Sequence, residues 1–397
     1  MSLIVSATVG FCRFGITAVL LNLYLLRLGY GPEFIGVFNG FAVLVNTAAC
    51  LPAGALGARY GSRRTMIAGV ILSTLGSALL VLVELLPAPL WAGWLLTTNA
   101  AIYLGGALWG VNASPFFMSA TTDEDRGHAF SVQMALMPLA GFAGSLVGGF
   151  LPEFLVPAFG LSLDGPAPYR YPLLIAAAVY GFIGLPALLA TRDSPDNRAT
   201  RAESGSKSAP YGLISVVALS TVLRMSGYCA VSIFFNVYMD TKLNASTSLI
   251  GTLSAVGQLV AVPAALAAPL FLNRLGQMRT FVWGMLGVVL SLIPLAFVPS
   301  WGAAGIGFAA LLASAWLVAP AFSIFSQEIV ESRFRALMAG VVQTSFGLSS
   351  ALVSIGGGII IATLGYRWLF LITAAMTAAG TLLFWAYFRR QDRLKAW

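Results

Sequence analysis

The chain has 397 residues, of which 58 % are hydrophobic and only 9 % charged, and its mean hydropathy is +0.87. So little polar material cannot cover a water-facing surface, which excludes a soluble globular protein and leaves a polytopic membrane protein. The net charge of +8 does not call for a nucleic-acid partner, because the lysines and arginines sit in short loops between apolar runs rather than in a stripe on a soluble domain. Cys12, Cys50 and Cys229 fall inside apolar runs, where they are expected to pack as small hydrophobes without a disulfide framework.

The first apolar run, residues 3 to 28, is interrupted only by Arg13. With no basic stretch before it and no small-residue cleavage site after it, it reads as a retained span rather than a signal peptide. Runs at 35 to 57, 66 to 86, 93 to 119, 128 to 152 and 172 to 190 follow. Each is long enough to cross about 30 Å of hydrocarbon at about 1.5 Å per residue. Residues 191 to 211 are polar, charged and rich in Ser, Pro and Gly, the composition of a flexible linker. Six more runs lie at 212 to 239, 248 to 272, 280 to 298, 303 to 327, 336 to 363 and 367 to 388, ahead of a basic tail. The expectation is an all-α membrane protein with twelve transmembrane helices. It divides into an N-terminal six-helix bundle (1–190), a linker (191–211), a C-terminal six-helix bundle (212–390) and a tail (391–397).

Cytoplasmic loops collect lysine and arginine. With the N-terminus inside, sixteen of the twenty-two basic residues fall in cytoplasmic segments, four in outer ones (Arg27, Arg170, Lys242, Arg367) and two, Arg13 and Arg224, within spans. The imbalance predicts that both termini are cytoplasmic, in the cell membrane.

Between spans two and three, Gly54 to Thr65 combines a glycine turn with Arg59, Arg63 and Arg64. Between spans eight and nine, Arg274, Gly276, Arg279 and Thr280 repeat Arg59, Gly61, Arg64 and Thr65. Ile35 to Thr65 aligns with Ile250 to Thr280 without a gap, and eleven of the thirty-one positions are identical, which marks an internal duplication. Fainter echoes agree: Asn22 with Asn236, Arg126 with Arg335, Gln133 with Gln343, and Gly148-Gly149 with Gly357-Gly358. Each half has an even number of spans, so both enter from the same side and their symmetry axis runs along the membrane normal.

Six plus six spans, a polar central linker and the signature Gly54, Leu56, Arg59, Gly61, Arg64 make the chain resemble the major facilitator superfamily over essentially its whole length. Ala58 stands where the family has aspartate and Ser62 where it has arginine, so the usual charge relay is in question. Asp123, Glu124 and Asp125 of the next loop are candidate substitute partners for Arg59, Arg63 and Arg64. The resemblance implies two pseudo-symmetric bundles working by alternating access. It gives Gly54, Arg59, Gly61, Arg64, Arg274, Gly276 and Arg279 a part in a cytoplasmic gate that does not touch cargo.

Arg13 and Arg224 lie about a dozen residues into their spans, roughly 15 to 20 Å deep, where a charge is costly without a partner or a wet cavity. In the resembled family spans one and seven line the central cavity, so these arginines are candidates for an anionic group on the cargo. Hydrogen bonding to carbonyls, or snorkelling to the membrane surface, is the plainer reading. Further cavity candidates are Asn22, Asn112, Gln133, Asn236, Gln258 and Gln343, with Tyr24, Phe117, Tyr228, Tyr238 and Trp316 as aromatic walls. For any one amide, interhelical bonding competes with a cargo role. No Asp or Glu falls at mid-span, and His128 sits at a span end, so proton coupling through such groups has little support. Ser145 replaces the proline of the related antiporter signature in span five.

There is no Walker loop, no Cys/His cluster and no Ser/His/acid set, so neither enzyme chemistry, a cofactor nor a metal is expected. The function expected is secondary active or facilitative movement of a small solute, in contact with membrane lipids. The cargo is left open between an organic anion and an apolar, drug-like compound. A non-transporting receptor or scaffold would need an output domain, and the linker and tail are too short to supply one. The oligomeric state is not set by the sequence.

Overall fold

The computed structural model describes residues 2–120, 123–190, 211–331 and 334–395, with side chains at these positions except 2, 114, 115, 117–135, 336 and 390–395. These residues form twelve long helices. In chain order they are α1 (Leu3–Arg27), α2 (Pro32–Tyr60), α3 (Ser62–Leu80), α4 (Trp91–Ala120), α5 (Asp123–Phe159), α6 (Ala167–Leu189), α7 (Tyr211–Thr241), α8 (Thr247–Leu275), α9 (Gln277–Phe297), α10 (Trp301–Glu328), α11 (Arg335–Leu364) and α12 (Tyr366–Lys395).

Among the described residues, ten of the twelve are long and apolar enough to cross a membrane. In α3 the hydropathy is diluted by Arg63 and Arg64 in the first turn, and in α4 by Thr97, Thr98 and Asn99. Helices of this kind satisfy their own backbone hydrogen bonds, which is why lipid-facing chain takes this form. Large exposed side chains such as Leu51, Phe182, Leu266 and Ile306 are the surface that lipid, unlike water, accepts.

Several helices outrun their apolar runs, and one stops short. Helix α5 extends through Pro152 and Pro157 to Phe159, whereas α3 begins at Ser62, four residues before the expected run of 66 to 86, and ends at Leu80, with Val83–Leu85 forming a separate 3-10 turn. Hydropathy marks the part of a helix that must face lipid, whereas the hydrogen-bonded part continues into the polar margin. Two stretches depart from α geometry. Gly10–Thr17 in α1 and Tyr180–Gly184 in α6 are wound as π-helix, a form found mostly as short insertions, frequently at functional sites.

The chain forms two compact units. One comprises Met1–Ala199 with Asn244–Leu259, and the other Thr200–Leu243 with Val260–Trp397. Helix α8 therefore gives its first half to unit 1 and its second to unit 2.

Candidate functional site

The repeated turn has one geometry in both copies. Helix α2 stops at Tyr60 and α3 starts at Ser62, with Gly61 alone between them at φ +93°. Helices α8 and α9 are joined in the same way by Gly276 at φ +77°. Only glycine takes such a backbone without strain. The Gly61 N–H donates to the Gly57 carbonyl at 2.9 Å and its own carbonyl receives Thr65 N–H at 3.2 Å; Gly276 bonds Leu272 and Thr280 in the same pattern. Arg63 Nη2 donates to the Leu189 carbonyl at 2.7 Å, so the turn is tied to the C-terminal end of α6, where the helix dipole favours a cation. The Arg59 guanidinium lies over Tyr60, 5.2 Å from the ring centre. The proposed partners Asp123, Glu124 and Asp125, and His128, have side chains outside the described residues.

Arg13 sits within the π-helical stretch of α1. Its guanidinium carbon is 4.7 Å from the centre of the Tyr103 ring on α4, and Gly106, one turn along, leaves the room that a larger residue there would deny it. Gly10 and Gly15 of the same stretch lie against the backbone of α5 at Met137 and Gly144. The π winding also redirects a carbonyl. Ala18 N–H reaches back to Arg13 O and Gly15 O, passing over Phe14 O, which accepts Gln258 Nε2 at 2.9 Å. The same Nε2 donates to Ser145 Oγ at 2.9 Å, so the residue replacing the antiporter proline is a hydrogen-bond partner of Gln258.

Arg224 is 2 % exposed. Its guanidinium carbon is 3.7 Å from the centre of the Phe322 ring on α10 and 5.5 Å from that of Phe281 on α9. Phe384 on α12 closes the cluster, 4.6 Å from Phe281. Among the described residues Nε and Nη1 have no hydrogen-bond partner, so the charge is met by aromatic faces. Just beyond it the helix changes course. Ser226 Oγ donates to the Leu223 carbonyl at 2.7 Å, and Gly227 N–H donates instead to Thr377 Oγ1 of α12 at 3.0 Å. A side chain has taken the place of an intrahelical partner, which interrupts α7 at Met225.

The amides of unit 1 act chiefly as ties between helices. Asn99 Nδ2 donates to Phe38 O at 3.1 Å, Asn46 Nδ2 to Tyr103 O at 2.9 Å, and Asn112 Nδ2 to Ala53 O at 3.1 Å and Leu108 O at 3.0 Å. The three fasten α2 to α4 along their length. Asn22 is buried and accepts from Asn39 Nδ2 at 3.0 Å. Tyr24 is buried too, its hydroxyl donating to Glu84 at 3.0 Å, and Glu84 pairs with Arg170 at 3.1 Å. In unit 2, Asn236 is buried, Gln343 is exposed, and Tyr238 packs on Tyr366 and Phe370. The side chains of Gln133 and Phe117 lie outside the described residues. Tyr103, Phe281, Phe322 and Asn46 were not singled out from sequence. Only Gly105-Gly106, a small-residue pair marking close approach, could have pointed to the first of them.

A family model described as Major Facilitator Superfamily matches residues 3–216 and again 216–397. An uncharacterized MFS-type transporter of Mycobacterium tuberculosis is 29 % identical over 346 residues, covering 83 % of this chain and 76 % of its own length. The multidrug resistance protein MdtH of Proteus mirabilis is 27 % identical over 125 residues, 32 % of this chain and 30 % of its own. Among solved structures, the nucleoside transporter NupG has a TM-score of 0.74 at 14 % identity, covering 97 % of this chain and 98 % of its own. A D-xylose-proton symporter reaches 0.75 at 15 %, covering 96 % and 95 %. At such identities the two structures speak for the fold alone.

Proposed function

Because this chain belongs to the major facilitator superfamily, a family of secondary transporters and not of enzymes, we propose that it moves a small, uncharged and largely apolar solute by alternating access. The observation carrying this choice is the engagement of Arg224. Its guanidinium is buried under phenyl rings, and a cargo carboxylate would have to displace those faces to reach it. Arg13 borders a cavity of about 60 Å³, well below the roughly 300–1,000 Å³ of sites for drug-sized molecules. The partial match to a multidrug resistance protein fits the same cargo class. Amides are the polar groups we assign to cargo recognition: Asn22, Gln133, Asn236, Gln258 and Gln343, with Asn112 supporting the helices behind them.

The excess of arginine at the Gly61 and Gly276 turns, in the linker and in the tail supports cytoplasmic termini. In that orientation both turns lie on the cytoplasmic face. Gly54, Arg59, Gly61, Arg64, Arg274, Gly276 and Arg279 then form the gate, with Arg63 holding the end of α6.

The test is transport in proteoliposomes with an uncharged lipophilic dye and with an organic anion of similar size. Dye transport in Arg224→Met is expected to stay within about twofold of wild type, because uniform loss of a charge that never meets cargo leaves both binding and turnover in place. Selective transport of the anion, abolished in well-folded Arg224→Met, would refute the reading.

A further inference from the structure

The cavity beside Arg13 has a chemistry that cargo transport leaves unused. Its polar lining is Cys12, Arg13, Thr17, Ser73, Ser77 and Tyr180, and among the described residues no carboxylate borders it. Ser73 commits its proton to the Ile102 carbonyl at 3.0 Å. Among the described residues, the hydroxyls of Thr17, Ser77 and Tyr180 make no hydrogen bond, and Arg13 makes neither a hydrogen bond nor an ion pair. Its guanidinium lies over the Tyr103 ring and against Gly106. Both π-helical stretches border the space, Arg13 and Thr17 coming from one and Tyr180 from the other.

We propose that this cavity is a binding site for a small monovalent anion of the halide class, held by the Arg13 guanidinium and the hydroxyls of Thr17, Ser77 and Tyr180. A guanidinium inside the hydrocarbon zone needs a compensating negative charge or a wet cavity. Here every uncommitted polar group can donate and none is anionic, which selects an anion over a cation. Size fits the class, since a cavity of about 60 Å³ exceeds the roughly 10–15 Å³ that admits one water and falls well below the roughly 300 Å³ and more of sites for organic ligands. Bound there, the ion bridges α1 to α6 through their π-helical segments and neutralises Arg13 whatever the cargo. The site lies wholly within unit 1, so it stands or falls separately from the choice of cargo.

The experiment is thermal unfolding of the purified full-length protein in sodium gluconate, with chloride or bromide titrated in at constant ionic strength. Wild type is expected to show a saturable rise in Tm of roughly 2 °C or more, with Arg13→Gln showing none. Should Arg13→Gln not fold, Ser77→Ala and Thr17→Val serve instead, each moving the half-saturating halide concentration upward. Anomalous scattering from bromide-soaked crystals should place the ion against Arg13. The proposal is overturned if halide gives no rise beyond gluconate or sulfate, if the rise survives in Arg13→Gln, if Ser77→Ala and Thr17→Val both leave half-saturation unchanged, or if bromide binds only elsewhere.

Discussion

The N-terminal and C-terminal halves share a one-glycine turn at positive φ, +93° in one and +77° in the other, yet their interiors are held by different chemistry. In the first, Asn46, Asn99 and Asn112 tie α2 to α4 by donating to main-chain carbonyls, and Arg13 faces a hydroxyl-lined cavity. In the second, α10 has no amide before Gln327, and Phe281, Phe322, Phe325, Phe384 and Phe388 pack around and beyond Arg224. Lipid gives helices no hydrophobic reason to associate, so hydrogen bonds and close packing are the two means available. Duplication kept the backbone device at the membrane surface, where only glycine serves, and let each half find its own means inside.

The sharpest break of this contrast is Phe322→Ala. It removes a buried ring and the face nearest an otherwise unbonded guanidinium, so a loss of about 4 kcal/mol in unfolding free energy is expected. Tyr103→Ala, opposite the half-buried Arg13, should cost about 1–2 kcal/mol because the cavity can still solvate that charge. Thermal unfolding in one detergent compares them, and equal losses would erase the distinction between caged and cavity-facing arginines.

Asn112→Ala probes the polar half, at an intermediate size. Two hydrogen bonds across and along the α2–α4 contact go, for about 1.5 kcal/mol. No drop in Tm would mean that the amide ties are incidental. That Asn112 binds a helix and not an open cavity was not legible in the sequence. Span count and the duplicated turn were legible, because apolar length and an Arg-x-Gly spacing are one-dimensional signals. The direction in which a side chain leaves its helix depends on rotation about the helix axis. In helices apolar on every side the 3.6-residue pattern that would report rotation is erased. The π-helical turn at Gly10–Thr17 shifts that rotation again within one span. So Arg13 and Arg224, similar in depth and type, were read alike and differ in surroundings.

The smallest expected effect separates the two turns themselves. Thr65 Oγ1 donates to the Gly61 carbonyl at 3.0 Å, doubling the hold that Thr65 N–H already has on it. Thr280 is just as buried, but its hydroxyl has no partner among the described residues. Valine keeps the branched shape and removes only the hydroxyl, so backbone geometry and volume stay nearly fixed. At position 65 a bond of about 1 kcal/mol is lost. At position 280 the substitution relieves an unpaired buried dipole, so Thr280→Val should be neutral or stabilising by up to about 1 kcal/mol. Opposite signs in the two unfolding curves would show that the duplicated turns share a backbone but not a hydrogen-bond ledger. Equal losses would mean that Thr280 has a partner of its own and that the two halves are more alike at this face than in their interiors.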